Sequence, residues 1–241
     1  MFEASFPLQK KVLGPILWGG KLVGAQNLPE DGPAVFVANH ADAIGPIAIT
    51  VALPIRLKYW MVADDVDKNL AAAYLQKDFV ERQLHFKPPF SRWFSQMLSR
   101  ITVPYLTALG SIPVDLDNVG IQKTYQMSLE TLRAGRCILI FPENPFLPAD
   151  PATKMNPFRD EFACLGEMYH AETGNCLEFY PLAVHPKKYV LVGKPAAFNP
   201  DNPAGQERQR LCTLLRECIT GMYLLPEPRQ WGGSLDDGEG Q

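Results

Sequence analysis

Short apolar runs that alternate with helical patterns constrain the fold of this chain more than any other feature of its sequence. The runs at 34–38 and 137–141 (Ala-Val-Phe-Val-Ala and Cys-Ile-Leu-Ile-Phe) are continuous, which is typical of strands buried on both faces of a sheet. Further strands are predicted at 57–63, 111–114, 177–184 and 189–192. Apolar spacing and stop signals predict helices at 42–53, 67–85, 90–109, 119–134, 158–173 and 204–224. This alternation predicts an α/β fold with a mixed, largely parallel central sheet and helices on both faces.

Length and composition predict one globular domain. The 241 residues suffice for a full hydrophobic core, and 46% apolar with 20% charged residues is ordinary for a soluble protein. We predict a single domain over residues 1–228, in which 1–20 is a candidate membrane-surface segment, and a disordered tail at 229–241. The net charge of −3 gives no reason to expect a nucleic acid as partner.

The cysteines and the hydropathy pattern bear on compartment. Five scattered cysteines without a Cys-x-x-Cys pair indicate free thiols in a reducing compartment. No two Cys or His residues have ligand-like spacing, so we expect no metal site. The first residues lack a basic region followed by an apolar run, and no stretch reaches the roughly 18 apolar residues of a spanning helix. We therefore expect a cytoplasmic protein that, where it meets a membrane, lies on the inner face.

The aromatic-rich helix predicted at 90–109 has two interpretations. Its large apolar residues recur at helical spacing, which suits a helix of the core. The same residues suit a helix that dips into the bilayer interface, with Arg92 and Arg100 against anionic headgroups.

A polar pair, Asn39-His40, follows the buried run at 34–38. Ligands of α/β sheets gather at strand ends, so this position receives weight. A histidine there can face a cleft and remove a proton from a hydroxyl, because its unperturbed pKa lies near neutrality. Asp42 is well placed to cap the following helix. A purely structural histidine beside an aspartate cap is the alternative.

Three further segments carry polar or special residues near predicted strands. Pro142 cannot continue a ladder, so the chain leaves the sheet there and Glu143 lies at the strand end, as a functional group or a solvated carboxylate. Gly110-Ser111 leads into a short strand, and Pro181 lies within another. Each of these by itself indicates only a turn or a strand edge.

Taken in order, these four segments resemble the motifs of the glycerolipid acyltransferases, the family of lysophosphatidic acid acyltransferase. The family's motifs are Asn-His followed by four residues and Asp, a Gly-led strand that ends in Arg, Phe-Pro-Glu-Gly-Thr-Arg, and a strand with proline. The matching segments here are Asn39-His40, Gly110 to Val114, Phe141-Pro142-Glu143 and Pro181. The resemblance covers roughly residues 20–200 and includes Gly24 to Pro29, Pro157-Phe158-Arg159 and Val192 to Pro195.

This resemblance implies a fold and a reaction. In the family the histidine, oriented by the aspartate, deprotonates an acceptor hydroxyl, and the oxygen attacks the thioester of an acyl-CoA or acyl carrier protein. It implies an acyltransferase of phospholipid biosynthesis with His40 as base, an acyl thioester donor, a lipid acceptor, a membrane surface and no cofactor. Asp42 is the nearest replacement for the orienting aspartate. Substrate binding is assigned to Asn39, Gly110, Ser111, Pro142, Glu143, Lys154, Arg159 and Pro181.

The sequence departs from the family's pattern at three places. Gly45 occupies the position five after His40 where the family has its aspartate. Leu116 stands where the second motif ends in arginine, and Asn144-Pro145-Phe146 replaces Gly-Thr-Arg. In the family these arginines are thought to hold the acceptor's phosphate, which suits bidentate guanidinium geometry.

Two hypotheses follow from these departures. One is an active, divergent acyltransferase whose acceptor carries no phosphate, since Arg159, which matches a family lysine, and Lys154 retain only part of the positive charge. The other is a non-catalytic relative that binds acyl chains or lipid, or serves as a partner subunit. The distinguishing feature is the carboxylate that reaches His40, for which the candidates are Asp42, Glu143 and Asp64-Asp65.

Overall fold

The chain forms two units of unequal size, which the computed structural model describes over residues 19–41, 44–62, 71–81, 85–109, 111–114 and 120–231. The larger unit is Met1–Leu57 with Leu129–Gln241, and the smaller is Lys58–Ser128. The prediction of a single domain over 1–228 stays a prediction. The strands are β1 Lys21–Val23, β2 Ala34–Ala38, β3 Leu57–Val62, β4 Ile112–Val114, β5 Cys137–Ile140, β6 Glu178–His185, β7 Tyr189–Val192 and β8 Ala196–Ala197. The α-helices are α1 Ile44–Ala52, α2 Ala71–Tyr74, α3 Phe90–Leu109, α4 Gly120–Arg133, α5 Cys164–Thr173 and α6 Ala204–Tyr223.

The sheet of the larger unit is mixed and mostly parallel. Its strands lie in the order β1-β7-β6-β2-β5, and β8 also pairs with β6. β2 runs parallel to both β5 and β6, and β1 runs parallel to β7. β6 is antiparallel to β7 and β8. The predicted fold class, a mixed and largely parallel sheet with helices, is confirmed.

β2 lies between two parallel neighbours, and its sequence fits that place. All five residues of Ala34–Ala38 are buried, as expected for a strand covered on both faces. The Phe36 ring packs against Tyr180 of β6, with 5.2 Å between ring centroids. The predicted strand at 34–38 is confirmed, and the one predicted at 137–141 ends one residue earlier.

Pro181 lies within β6, where it interrupts one edge of the strand. Its carbonyl accepts the main-chain N–H of Gly193, so its nitrogen also faces the β7 side. At this point β7 has ended and β8 has not begun, because β7 pairs with 182–185 and β8 with 178–179. The missing N–H of the proline therefore falls at a break in the ladder, where no partner strand requires it. The proline is buried, and a Cβ at Gly193 would lie 2.8 Å from its ring.

The predicted helix at 158–173 begins later than expected. Glu161–Ala163 form a 3-10 turn, α5 follows at Cys164, and Gly174 ends it with a positive φ of 73°. Phe158 instead forms an antiparallel bridge with Glu143, and the Arg159 N–H donates to the Pro142 carbonyl at 2.9 Å. Tertiary pairing has therefore overridden the helical pattern at the first residues of this segment.

The predicted disordered tail is wrong at its first residues. Pro228–Gln230 form a 3-10 turn, and the buried Trp231 donates its indole N–H to the Val192 carbonyl at 3.1 Å. Residues 232–241, like the candidate surface segment at 1–18, lie outside the described residues.

In the smaller unit, β3 and β4 pair in parallel with Trp60 opposite Ile112. The Trp60 indole N–H donates to the Ser128 hydroxyl at 2.8 Å, which ties β3 to α4. A second part of this unit packs α3 against the segment 71–81, whose last seven residues are π-helical.

α3 is amphipathic, but small polar side chains form its buried side and large apolar side chains its exposed side. Three serines spaced four residues apart are buried on the side of α3 that faces segment 71–81: Ser91, Ser95 and Ser99. Small side chains allow this close approach, and the Ser91 hydroxyl donates to Glu81 at 2.7 Å. The large apolar side chains lie on the exposed side, where Trp93 is 58% exposed, together with Phe90 and Met97. The interpretation as a core helix is wrong for this side of α3, and the membrane-surface interpretation stays a prediction.

Candidate active site

His40 and Glu143 lie at the same edge of the sheet. Val37 of β2 pairs with Ile140 of β5 in parallel register. His40 and Glu143 each follow these paired residues by three positions, so both leave the carboxyl ends of adjacent strands. This is the edge at which parallel sheets bind their ligands. The sequence prediction of two strand-end residues therefore becomes one site in the fold.

Asn39 fixes the strand end from which His40 projects. It is 1% exposed, and its side-chain oxygen accepts the Val184 N–H at 2.7 Å while its amide donates to the Val184 carbonyl at 3.2 Å. The side chain thus pairs with β6 as a peptide group would, one residue beyond the end of β2. Both polar atoms of Asn39 serve this structural contact, which positions the next residue.

The Glu143 carboxylate joins two loops at the site. One oxygen accepts the main-chain N–H of His40 at 2.5 Å, and the other accepts the main-chain N–H of Asn156 at 2.7 Å. These are charge-assisted hydrogen bonds to chain segments far apart in sequence. Burial raises the pKa of Tyr223, at the end of α6, and the charge of Glu143 raises it further. The negative charge of Glu143 therefore lies beside the main chain of His40.

The His40 side chain lies at the exposed face of this edge. Its ring meets the Phe141 ring edge to face, with 5.0 Å between centroids. An apolar ring on one side and solvent on the other leave the imidazole accessible to a substrate. A histidine held in this way can accept a proton from a bound hydroxyl.

Gly45 packs directly against the main chain of His40. A Cβ atom at this position would lie 1.9 Å from the His40 carbonyl oxygen and 2.8 Å from its carbonyl carbon. Any side chain here therefore requires the main chain to move. The aspartate that the resemblance leads one to expect at this position does not fit the observed backbone. Asp42 and the pair Asp64-Asp65 lie outside the described residues, so Glu143 is the candidate whose contact with His40 is described.

An open cleft of about 640 Å³ adjoins this site. Neither His40 nor Glu143 lines the cleft, but Asn144, which follows Glu143, and Phe158, which forms a bridge with Glu143, lie in its wall. α6 supplies the opposite wall through Gln209, Cys212 and Thr213. The rest of the lining comes from the segments around the β5 exit and before α5: Asn144, Phe146, Phe158, Arg159, Asp160 and Glu161.

The two predicted basic residues differ in their settings. Arg159 lines the cleft, and its Nε and Nη2 both donate to Glu161 Oε1, at 3.0 and 2.5 Å. Lys154 is exposed in a turn closed by its own N–H on the Asp150 carbonyl at 2.8 Å, with a positive φ of 60°. The structure therefore brings Arg159, but not a lysine–arginine pair, to the wall of the cleft.

The remaining predicted site residues are placed as follows. Pro142 is buried and turns the chain out of β5, with its carbonyl bonded to the Arg159 N–H. Pro181 is buried within β6. Ser111 belongs to the smaller unit, directly before β4, and Gly110 lies outside the described residues.

Sequence reasoning missed the contributions of Asn156 and Tyr223. The first acts through its main-chain N–H, which no side-chain motif reports. The second lies on α6, whose pattern indicates only a helix. Their nearness to Glu143 depends on tertiary packing.

None of the described His, Cys, Asp and Glu side chains form a group of three or more that could hold a metal ion. The five cysteines are free thiols. No helix within the described ranges is long and apolar enough to cross a membrane. His185 is buried, accepting the Lys187 N–H on Nδ1 and meeting the Leu225 carbonyl with Nε2 at 3.1 Å, and burial lowers its pKa.

Comparison with known proteins identifies the fold. No protein-family model matches the chain, and no curated protein sequence does. The structure is similar to the crystal structure of the 1-acyl-sn-glycerophosphate (LPA) acyltransferase PlsC from Thermotoga maritima. The TM-score is 0.50 at 14% sequence identity, with 91% of this chain and 81% of that chain covered. The relation is a distant one of fold, and it agrees with the motif resemblance in the sequence.

Proposed function

We propose that the protein transfers a fatty acyl group from an acyl thioester to the hydroxyl of a lipid-type acceptor, with His40 as the general base. The observation that carries the proposal is the position of His40, exposed at the carboxyl edge of a PlsC-like sheet and tied through its main chain to Glu143. A histidine exposed at the edge of a sheet where ligands bind can act as a base on a bound hydroxyl.

The chemistry needs one proton acceptor and one leaving group. His40 takes the proton of the acceptor hydroxyl while the oxygen forms a C–O bond with the thioester carbon. The tetrahedral intermediate then breaks its C–S bond, and the imidazolium returns the proton to the departing thiolate sulfur. The products are an ester and a free thiol, so the balance requires no cofactor besides the acyl-CoA or acyl carrier protein donor.

Glu143 is proposed to act on His40 as a positioning residue. Its two hydrogen bonds fix the loop that bears the histidine, and its negative charge favours the imidazolium that forms during the reaction. This arrangement differs from an aspartate on the far ring nitrogen, so a lower rate than that of a complete dyad is expected.

One observation favours a second function, an acyltransferase-like protein that binds acyl chains or lipid without turning them over. Gly45 closes the position of the usual orienting aspartate. Loss of that group from a comparable triad costs about four orders of magnitude in rate.

The experiment compares wild-type protein with His40→Ala, using palmitoyl-CoA and a panel of hydroxyl-bearing lipids. Released CoA and esterified product are quantified by chromatography, because a thiol reagent would also react with the exposed Cys176. We expect at least about a 100-fold loss in His40→Ala, the ordinary contribution of a general base. His170→Ala, on α5, is the matched control and should retain activity. Turnover that survives His40→Ala would refute the assignment, and binding of palmitoyl-CoA without turnover would favour the second function.

A further inference from the structure

The cleft beside Glu143 has a charge balance that bears on the acceptor. Its described lining contains one cation, Arg159, and two anions, Asp160 and Glu161. Glu143, outside the lining, adds a third carboxylate at the residue before Asn144 and forms a bridge with Phe158 of the wall. A phosphate monoester brings a charge of about −2 at neutral pH and would meet a lining with two carboxylates and one cation. Arg208, outside the lining, interacts with Asp160.

The cation in this wall is already engaged. Arg159 directs two of its N–H groups to the same oxygen of Glu161. Its main chain is also fixed, because its N–H donates to the Pro142 carbonyl. A phosphate that bound both N–H groups of this guanidinium would have to displace the Glu161 carboxylate. The displaced carboxylate would then lie close to the phosphate and repel it.

The position where the family carries a motif arginine has lost its charge as well. Phe146 stands there, is 84% exposed and lines the cleft. An exposed phenyl ring offers apolar contact where a guanidinium would offer hydrogen bonds. The wall therefore combines an apolar side chain with hydrogen-bond acceptors.

The pKa of the Cys212 thiol, on the opposite wall, is affected by the same carboxylates. Burial raises the pKa of Cys212 to about 11, and Asp160 and Glu161 add to this rise, whereas Arg216 opposes it. The thiolate form of Cys212 is therefore disfavoured, chiefly by burial. Arg216 is exposed, interacts with both Asp150 and Cys212, and does not reverse the direction.

From this wall we infer that the acceptor is an uncharged alcohol, such as a glycerol-type lipid without a phosphate monoester. Hydroxyl groups can donate hydrogen bonds to the carboxylate oxygens of Asp160 and Glu161, and the apolar part of the acceptor can contact Phe146. This inference rests on the proposed function and adds the chemical class of the acceptor.

The experiment offers the full-length protein equal amounts of 1-oleoylglycerol and 1-oleoylglycerol 3-phosphate in neutral detergent micelles with palmitoyl-CoA. We expect the uncharged acceptor to be esterified at least about 10-fold faster, a preference of roughly 1.4 kcal/mol. Glu161→Gln removes one carboxylate and releases Arg159, so the preference should move several-fold toward the phosphate. Glu217→Gln, an exposed glutamate on α6, is the matched control and should leave it unchanged.

The outcomes separate this inference from the proposed function. A wild-type preference for the phosphate would overturn the acceptor class while leaving acyl transfer intact. No shift in Glu161→Gln relative to Glu217→Gln would also count against it. If no acceptor is esterified, the proposed function fails, and saturation-transfer NMR with 1-butyrylglycerol and its 3-phosphate decides the inference. Stronger saturation of the phosphate would then overturn it, and stronger saturation of the neutral compound would support it.

Discussion

Two carboxylates in the larger unit both accept hydrogen bonds from main-chain N–H groups, one at a partly exposed position and one fully buried. Glu143 accepts main-chain N–H groups from His40 and Asn156 at the partly exposed edge of the sheet. Glu207, on α6, accepts the main-chain N–H of Asn199 at 2.8 Å and is 0% exposed. Glu143 joins two loops, and Glu207 ties a loop to α6. The difference between them lies in what surrounds the negative charge.

The charge of Glu207 is neutralised within the fold. Arg210 donates to it from both Nε and Nη2, and Asn202 donates from its side chain at 2.6 Å. The hydrogen bond from Arg210 is the main cause that lowers the pKa of Glu207 to about 2. The described hydrogen bonds of the Glu207 carboxylate therefore all contribute to the stability of the fold. Glu143 instead has its described bonds on main-chain groups and lies beside an exposed imidazole, so its charge can also act on a reaction.

Replacing Glu207 should produce the largest effect on stability. Glu207→Ala leaves the Asn199 N–H and the Arg210 guanidinium without their acceptor, so we expect a loss of about 3 kcal/mol in the free energy of unfolding. Urea denaturation measures this loss, and Glu217→Ala, on the exposed side of α6, should change it by less than about 0.5 kcal/mol. A loss equal to that of the control would show that the cluster contributes nothing.

The same residue predicts a pH dependence. The pKa of Glu207 is lower in the folded protein, at about 2, than the ordinary 4.5. Its contribution to stability is therefore complete above the unfolded value and is lost as the pH falls from about 4.5 toward 2. Across this interval the free energy of unfolding should fall more steeply with decreasing pH for the wild type than for Glu207→Ala. Equal slopes would contradict the assignment.

Gly45 offers the next largest effect and tests the site's departure from its relatives. Gly45→Asp restores the family residue, but its Cβ would lie 1.9 Å from the His40 carbonyl oxygen. We expect a loss of about 2 kcal/mol in stability from the forced shift of the main chain, and lower acyl transfer. Gly205→Asp makes the same exchange in the first turn of α6, where the nearest atom is 4.0 Å away, and should be neutral or stabilising. A stable, more active Gly45→Asp would refute the observed packing.

The sequence predicts much of this fold because burial leaves a local pattern. The continuous apolar run of β2 indicates a strand with two parallel neighbours, and the Asn39-His40 pair indicates where that strand ends. The helical spacing at 90–109 reports α3 but not its orientation, since small buried serines and large exposed aromatics reverse the usual rule. The pattern also fails at Phe158, where a bridge to Glu143 replaces a helix. Such pairings join residues distant in the chain and leave no periodic signal.

The candidate site was predictable in its residues but not in its contacts. The order of motifs identifies His40 and Glu143, and parallel strands imply a shared edge. The hydrogen bond between them runs through the main-chain N–H of His40, which a search for an orienting carboxylate does not anticipate. The closure of position 45 likewise follows from backbone proximity and becomes visible only in three dimensions.

The smallest expected effect is the one that decides what kind of carboxylate Glu143 is. Glu143→Gln removes the negative charge and one of the two acceptors while keeping the size of the side chain. If Glu143 positions and stabilises His40, kcat should fall about 10-fold, or roughly 1.4 kcal/mol, with a loss of about 1 kcal/mol in unfolding free energy. Steady-state rates and urea denaturation on the same preparation measure both. A variant that loses stability but retains kcat would make Glu143 a structural carboxylate like Glu207. His40 would then have to work without it, because its charge would contribute nothing to the imidazolium.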